Sequence, residues 1–124
     1  MPGVELGRYL MAGNEKYHAC IEACVECLVA CDMCSEACLQ EKDIKMMVEC
    51  IRLDRDCADA CLTAMRSMSR NGPLVAELCA ACAEACDRCA AECEKHKSEH
   101  CRVCAEACRR CAEECRKMAA TRAA

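Results

Sequence analysis

The chain has 124 residues and a net charge of −4, with 19 Cys, two Tyr and neither Phe nor Trp; the length suits one domain. Leu, Ile and Val together number only 17 against 22 Ala, so an ordered interior has to be filled with sulfur and methyl groups. No apolar run approaches the ~20 residues that cross a bilayer, and the 17 Lys and Arg are outnumbered by, and interspersed with, 21 Asp and Glu, which argues against nucleic-acid binding.

Residues 1–13 read as an N-terminal segment in which Leu6 and Leu10 are spaced for a short extra helix. The opening MPGVELGRYLMAGNEKYH shows no basic stretch followed by an apolar one, hence no export signal. A cytoplasmic location is the expectation, and structural disulfides are rare there. Gly13-Asn14 offers a break and an N-cap before a first helix over 14–40. This helix carries Cys20, Cys24, Cys27, Cys31, Cys34 and Cys38 in alternating steps of four and three, the a/d seam of a heptad. Asp43 can cap a second helix over 43–70, with Cys50, Cys57 and Cys61. Asp54 fills the missing step in register, and Met65 and Met68 continue the seam. Asn71-Gly72 ends that helix, and Pro73 suits the first turn of a third over 73–96, bearing Cys79, Cys82, Cys86, Cys89 and Cys93. Ser98 can cap a fourth helix over 98–119, with Cys101, Cys104, Cys108, Cys111 and Cys115, leaving 120–124 as a frayed tail.

Links this short imply antiparallel neighbours. The expected fold is therefore all-α, an antiparallel up-down-up-down four-helix bundle over 14–119 with a Cys-lined core. The triplets Glu22-Ala23-Cys24, Glu36-Ala37-Cys38, Asp59-Ala60-Cys61, Glu84-Ala85-Cys86 and Glu106-Ala107-Cys108 fit it. The acid faces water, Ala lets backbones approach, and the thiol points inward.

Nineteen inward thiols exceed what packing needs, since Ala or Val would fill such sites without the risk of oxidation. Cysteines three or four apart on one helix hold their Cβ atoms about 5–6 Å apart, too far for an unstrained disulfide. A metal fits better. Zinc prefers CxxC knuckles on turns and closes with four ligands; four thiolates around Zn²⁺ leave −2 per site, which a dry interior tolerates badly. A monovalent soft ion sharing bridging thiolates keeps the core near neutrality, and thiolates select Cu(I). The Cys20-x3-Cys24-x2-Cys27 spacing also occurs in radical iron–sulfur enzymes, but here it recurs wherever the heptad does. Glu15-x-x-His18 is half of a di-iron motif and stands alone. No Cys–His–acid arrangement stands apart from the heptad pattern, so an enzyme is not expected.

The Cys20-x3-Cys24-x2-Cys27-x3-Cys31-x2-Cys34-x3-Cys38 stripe, with the Cys-x2-Cys-x3-Cys runs of the third and fourth helices, resembles the bacterial copper storage proteins, and specifically their cytosolic branch, from about His18 to Met118. The resemblance implies storage of many Cu(I) ions along the bundle axis, little movement of the scaffold, and a homotetramer. All nineteen cysteines are candidate ligands. The end that gathers the first and third links also collects His96, His100, Asp54, Met46 and Met47, candidate ligands of a copper mouth. The family's entrance carries His and Met at corresponding links. Tyr17, His18, Met65, Met68, Leu78 and Met118 fall at the opposite end, expected to be plugged. A copper chaperone or a small thiol ligand could exchange at the mouth. The rival readings are a zinc or general soft-metal thiol buffer, metallothionein-like in role, and a thiol redox or oxidant-sensing protein.

Overall fold

Four stripes of one period pack as four helices in the computed structural model, which describes residues 15–120. The short helix expected within 1–13, the Gly13-Asn14 cap and residues 121–124 of the expected tail lie outside those residues; Ala120, expected in the tail, is the last residue of the fourth helix. Helix α1 spans His18–Cys38, α2 Val48–Ser69, α3 Val75–Cys93 and α4 Glu99–Ala120. Short 3-10 turns, Glu15–Tyr17 and Ile44–Met47, lead into α1 and α2. Each helix packs on its neighbour in sequence and α4 closes the ring against α1. No strand occurs among the described residues.

The first three α-helices are shorter than the heptad stripe suggests, and the hydrogen bonds show why. Asp43 accepts the Met46 N–H through its carbonyl oxygen at 3.2 Å, which makes a 3-10 turn, and its side chain makes no capping bond. The α-helix therefore begins at Val48. Pro73 precedes the third helix, whose first i,i+4 bond runs from the Leu78 N–H to the Leu74 carbonyl. Beyond Cys93 the chain tightens, with the His96 N–H bonded to the Cys93 carbonyl at 3.0 Å. The Ser98 carbonyl accepts the Arg102 N–H at the head of α4, while its hydroxyl turns away to Glu41.

The end of α2 is held by a Schellman motif. The Gly72 N–H reaches the Ser67 carbonyl at 2.9 Å and the Asn71 N–H the Met68 carbonyl at 3.1 Å. Asn71 occupies the left-handed position, φ 51°, where its short polar side chain is better tolerated than most. That side chain also accepts the Tyr17 hydroxyl at 2.9 Å, tying the start of α1 to the α2–α3 link. Tyr17 and Met68 are buried there, whereas Leu78 is only half-buried.

Among the described residues the buried apolar set consists of the cysteines, several alanines, Met47, Met68, Val75 and Tyr17, with no Leu or Ile. In the five acid–Ala–Cys triplets the acid is exposed and the cysteine buried. Side chains this small let helices close even across the diagonal. Cys27 on α1 lies 3.9 Å from Cys86 on α3, and Cys57 on α2 lies 3.9 Å from Cys108 on α4. Outside, ion pairs such as Arg110–Glu26 at 3.0 Å and Arg109–Glu94 at 2.8 Å clip neighbouring helices; pairs so exposed add only a few tenths of a kcal/mol each, about 0–1.

Replacing Tyr17 by Phe removes the hydroxyl bond and is expected to cost about 1 kcal/mol. Asn71→Gly should match it, while Asn71→Ala, which keeps a Cβ in the left-handed region without the polar side chain that eases it there, should cost about 2 kcal/mol or more. Urea unfolding of the reduced, metal-free protein measures all three.

Candidate metal centre

Every cysteine is a free, buried thiol, none more than 1% exposed. The heptad register delivers them to one axis, where sulfurs of different helices meet. Cys20 lies 3.6 Å from Cys115, Cys24 3.7 Å from Cys111, Cys31 3.7 Å from Cys104, Cys61 3.7 Å from Cys82, and Cys50 3.6 Å from Cys93. Within single helices, Cys27–Cys31, Cys82–Cys86 and Cys111–Cys115 stand at 3.9 Å. These separations are about twice a disulfide bond length, roughly 2.05 Å.

The sulfurs also group in fours. Those of Cys34, Cys38, Cys50 and Cys101 lie within 4.8 Å of one another, as do those of Cys31, Cys89, Cys104 and Cys108, of Cys27, Cys31, Cys57 and Cys108, of Cys27, Cys57, Cys61 and Cys86, and of Cys24, Cys82, Cys111 and Cys115. Cys27, Cys31, Cys57 and Cys108 each belong to two of these groups. Through the middle of the bundle the groups are therefore joined: ions placed there have to share sulfurs and cannot each claim four of their own.

Asp54 interrupts the sulfur column one turn inside Cys50 and is fully buried. Its Oδ1 accepts Cys89 Sγ–H at 3.1 Å and Cys104 Sγ–H at 3.3 Å, with Cys93 at 3.8 Å, and Oδ2 accepts Cys50 at 3.8 Å. Burial pushes its carboxyl up to about 11, so it is neutral at physiological pH. Burial likewise raises the Cys38 thiol, and it raises Cys101 to about 12. Asp54, Cys38 and Cys101 thus keep their protons in the metal-free interior at this end.

At the rim the two links meet. His100, one residue off the seam, turns Nδ1 to within 3.4 Å of Cys34 Sγ and 3.6 Å of Cys101 Sγ. Its Nε2 is 2.9 Å from Glu41 Oε2, which also accepts the Ser98 hydroxyl at 3.1 Å. His96, which by register continues the Cys93 seam, instead places Nε2 3.0 Å from Glu92 Oε2. Met47 is buried, whereas Met46 is exposed to 65%. At the other end, His18 is an exposed partner of Glu22 at 3.8 Å.

The copper storage protein family profile matches residues 13–120. The chain belongs to that family. A Bacillus subtilis relative, the uncharacterised cysteine-rich protein YhjQ, is 50% identical over 87 residues, 69% of this chain and 81% of its own. Copper storage protein 3 of Bacillus subtilis, solved without metal, superimposes with a TM-score of 0.77 at 48% identity, covering 83% of this chain and 98% of that one. The Cu(I)-bound BsCsp3 structure gives 0.80 at 48% identity over 83% and 97%. A cytosolic copper storage protein of Streptomyces lividans, solved with five coppers, gives 0.83 at 41% identity over 86% and 94%.

Within this member of the copper storage family, Glu41, Glu92 and Ser98 complete a polar rim that a search for cysteines alone passes over. The register carries a signal for one of them: Glu41 lies three residues beyond Cys38 and takes the next step of that seam, whereas the step before Cys101 falls on Lys97 and not on Ser98.

Asp54 holds its proton in the folded state far above its ordinary value of 3.8, whereas the unfolded chain gives it up in the normal carboxylate range. Folding therefore takes up a proton, and the stability of the metal-free protein falls as pH rises above about 4. Asp54→Asn is expected to flatten this slope between about pH 5 and pH 7, where unfolded thiols are still protonated. Urea midpoints of both proteins across that window test it; an unchanged slope would show that Asp54 is ionised in the fold.

Proposed function

We propose that this protein is a non-enzymatic cytosolic store and buffer for Cu(I), holding many ions per chain on the thiolates of its core. The observation that carries this reading is the column of nineteen buried, unpaired thiols, interrupted at Asp54 and gathered in close groups that share members in the middle of the bundle. Each Cu(I) bound by shared thiolates replaces protons with an equal positive charge, so the interior stays close to neutral as it fills. Zinc would need four thiolates per ion and leave −2 at each site, and the overlapping groups do not supply four separate ligands for every ion. An oxidant sensor needs a thiol that solvent and oxidant can reach, and these thiols are all buried.

Copper enters and leaves, in this reading, at the end where His100, Asp54 and Met47 surround the outermost thiols, with His96 and Met46 farther out on the rim. Release is an exchange there with a small thiol ligand or a copper chaperone. The scaffold hardly moves, a reading supported by the similar match to the metal-free and Cu(I)-bound Bacillus subtilis structures. The exposed apolar side chains Val25, Val29 and Met33 on the outside of α1 support association of copies of the chain, as the homotetramer.

Anaerobic titration of the reduced protein with Cu(I) against a strong chromophoric chelator is expected to reach roughly ten or more equivalents per chain, as shared thiolates require; saturation at one or two would overturn storage. Because the entering ion displaces protons from thiols raised by burial, Cys101 to about 12, apparent affinity is expected to rise with pH throughout the physiological range while capacity stays fixed. The same titration repeated at several pH values measures both.

A further inference from the structure

Glu41 has no place among the thiols, yet it holds one of the groups that touches them. It stands in the α1–α2 link and reaches across the rim to the α3–α4 link, where Oε2 lies 2.9 Å from His100 Nε2 and 3.1 Å from the Ser98 hydroxyl. A carboxylate offers only lone pairs, so His100 Nε2 must bring the hydrogen. In the neutral ring this leaves Nδ1 without one. That nitrogen is the atom 3.4 Å from Cys34 Sγ and 3.6 Å from Cys101 Sγ. Both side chains are partly exposed, 22% for His100 and 35% for Glu41, so an arriving ion reaches the ring from water.

A carboxylate behind a metal-binding histidine fixes the ring's tautomer and orientation and raises its basicity. We propose that Glu41 is the positioning residue for copper entry: it holds His100 in the Nε2–H form with Nδ1 turned inward, so that Cu(I) captured at the rim is passed to the thiols of Cys34 and Cys101. The inference rests on the reading of this end as the entrance. In the transfer copper stays Cu(I). The Nδ1–Cu bond breaks as a Cu–S bond forms, the accepting thiol gives its proton to water, and Nδ1 regains its lone pair. His96 is not equivalent: Glu92 holds its Nε2 at 3.0 Å in the same way, but among the described residues its ring hydrogen-bonds no thiol.

The test uses the full reduced chain, with Cu(I) delivered anaerobically from a chromophoric chelator complex and uptake followed by stopped flow. Glu41→Gln keeps the shape of the side chain but can donate as well as accept, so it no longer imposes a tautomer. It is expected to slow the first uptake phase about tenfold, with the final number of ions unchanged. His100→Ala should slow the phase at least as much, and the double variant no further than His100→Ala. Long-range ¹⁵N–¹H correlation spectra of the metal-free protein supply a readout that loosened packing would not give: His100 in the Nε2–H form in the parent and shifted toward Nδ1–H in Glu41→Gln. A parent ring in the Nδ1–H form, or Glu41→Gln loading at the parent rate while His100→Ala is slow, overturns the role of Glu41 and leaves the entrance in place. His100→Ala loading at the parent rate overturns the entrance at this end, and the inference with it.

Discussion

A bare thiolate placed in a dry protein interior costs several kcal/mol, about as much as any buried unpaired ion, and this bundle places nineteen cysteines there. Only two arrangements escape that cost. Each sulfur keeps its proton, or it shares a soft monovalent cation with a neighbour. The rest of the structure follows from having to allow both. The thiols must lie close enough to share, along one axis, yet be shielded from the oxidants that would otherwise join them. The neutral Asp54 obeys the same constraint. With four thiols aimed at its carboxyl oxygens it behaves as one more protonated member of the column.

Four helices meet this demand because a helix repeats its inward face every three or four residues and a bundle turns four such faces to one axis. The side chains then set the width. Leu at the seam would hold the helices apart and keep diagonal partners from touching. Cys at the seam, with Ala such as Ala23, Ala83 and Ala112 buried beside it, draws the backbones together until sulfurs meet across both diagonals. The shortage of large apolar residues that looks like a weak core in the composition is the condition for sulfurs to meet along the axis.

Much of this is legible in the sequence because one residue type marks one face with one period. Helix number, the inward direction of every cysteine and the in-register position of Asp54 all come from spacing alone. The ends of helices are less legible, because Asp43 and Pro73 read as starts of α-helices when the chain uses their backbone in a 3-10 turn and in a preceding turn. The rim is least legible, and His96 and His100 show the reason. Register favours His96, three residues past Cys93, but the helix ends at Cys93 and the tightened turn carries that ring to Glu92. His100 is off the seam, but it lies in the first turn of α4, where side chains lean toward the helix N-terminus and no preceding turn blocks the way to Cys34. Periodicity describes side chains within a helix and says little once the helix stops.

The buried column also ties the fate of the chain to its contents. Ions held by thiols from all four helices bind the folded state and have no comparable site in the unfolded one, so each strengthens the fold by mass action, roughly 2.7 kcal/mol for a single site at a free concentration one hundred times its dissociation constant. A bundle whose fully buried core holds no Leu or Ile gains stability with every ion it takes. Proteolysis that acts on transiently opened chains follows the population of the open form. The filled molecule therefore opens less often than the emptied one and offers a protease correspondingly fewer chances to cut.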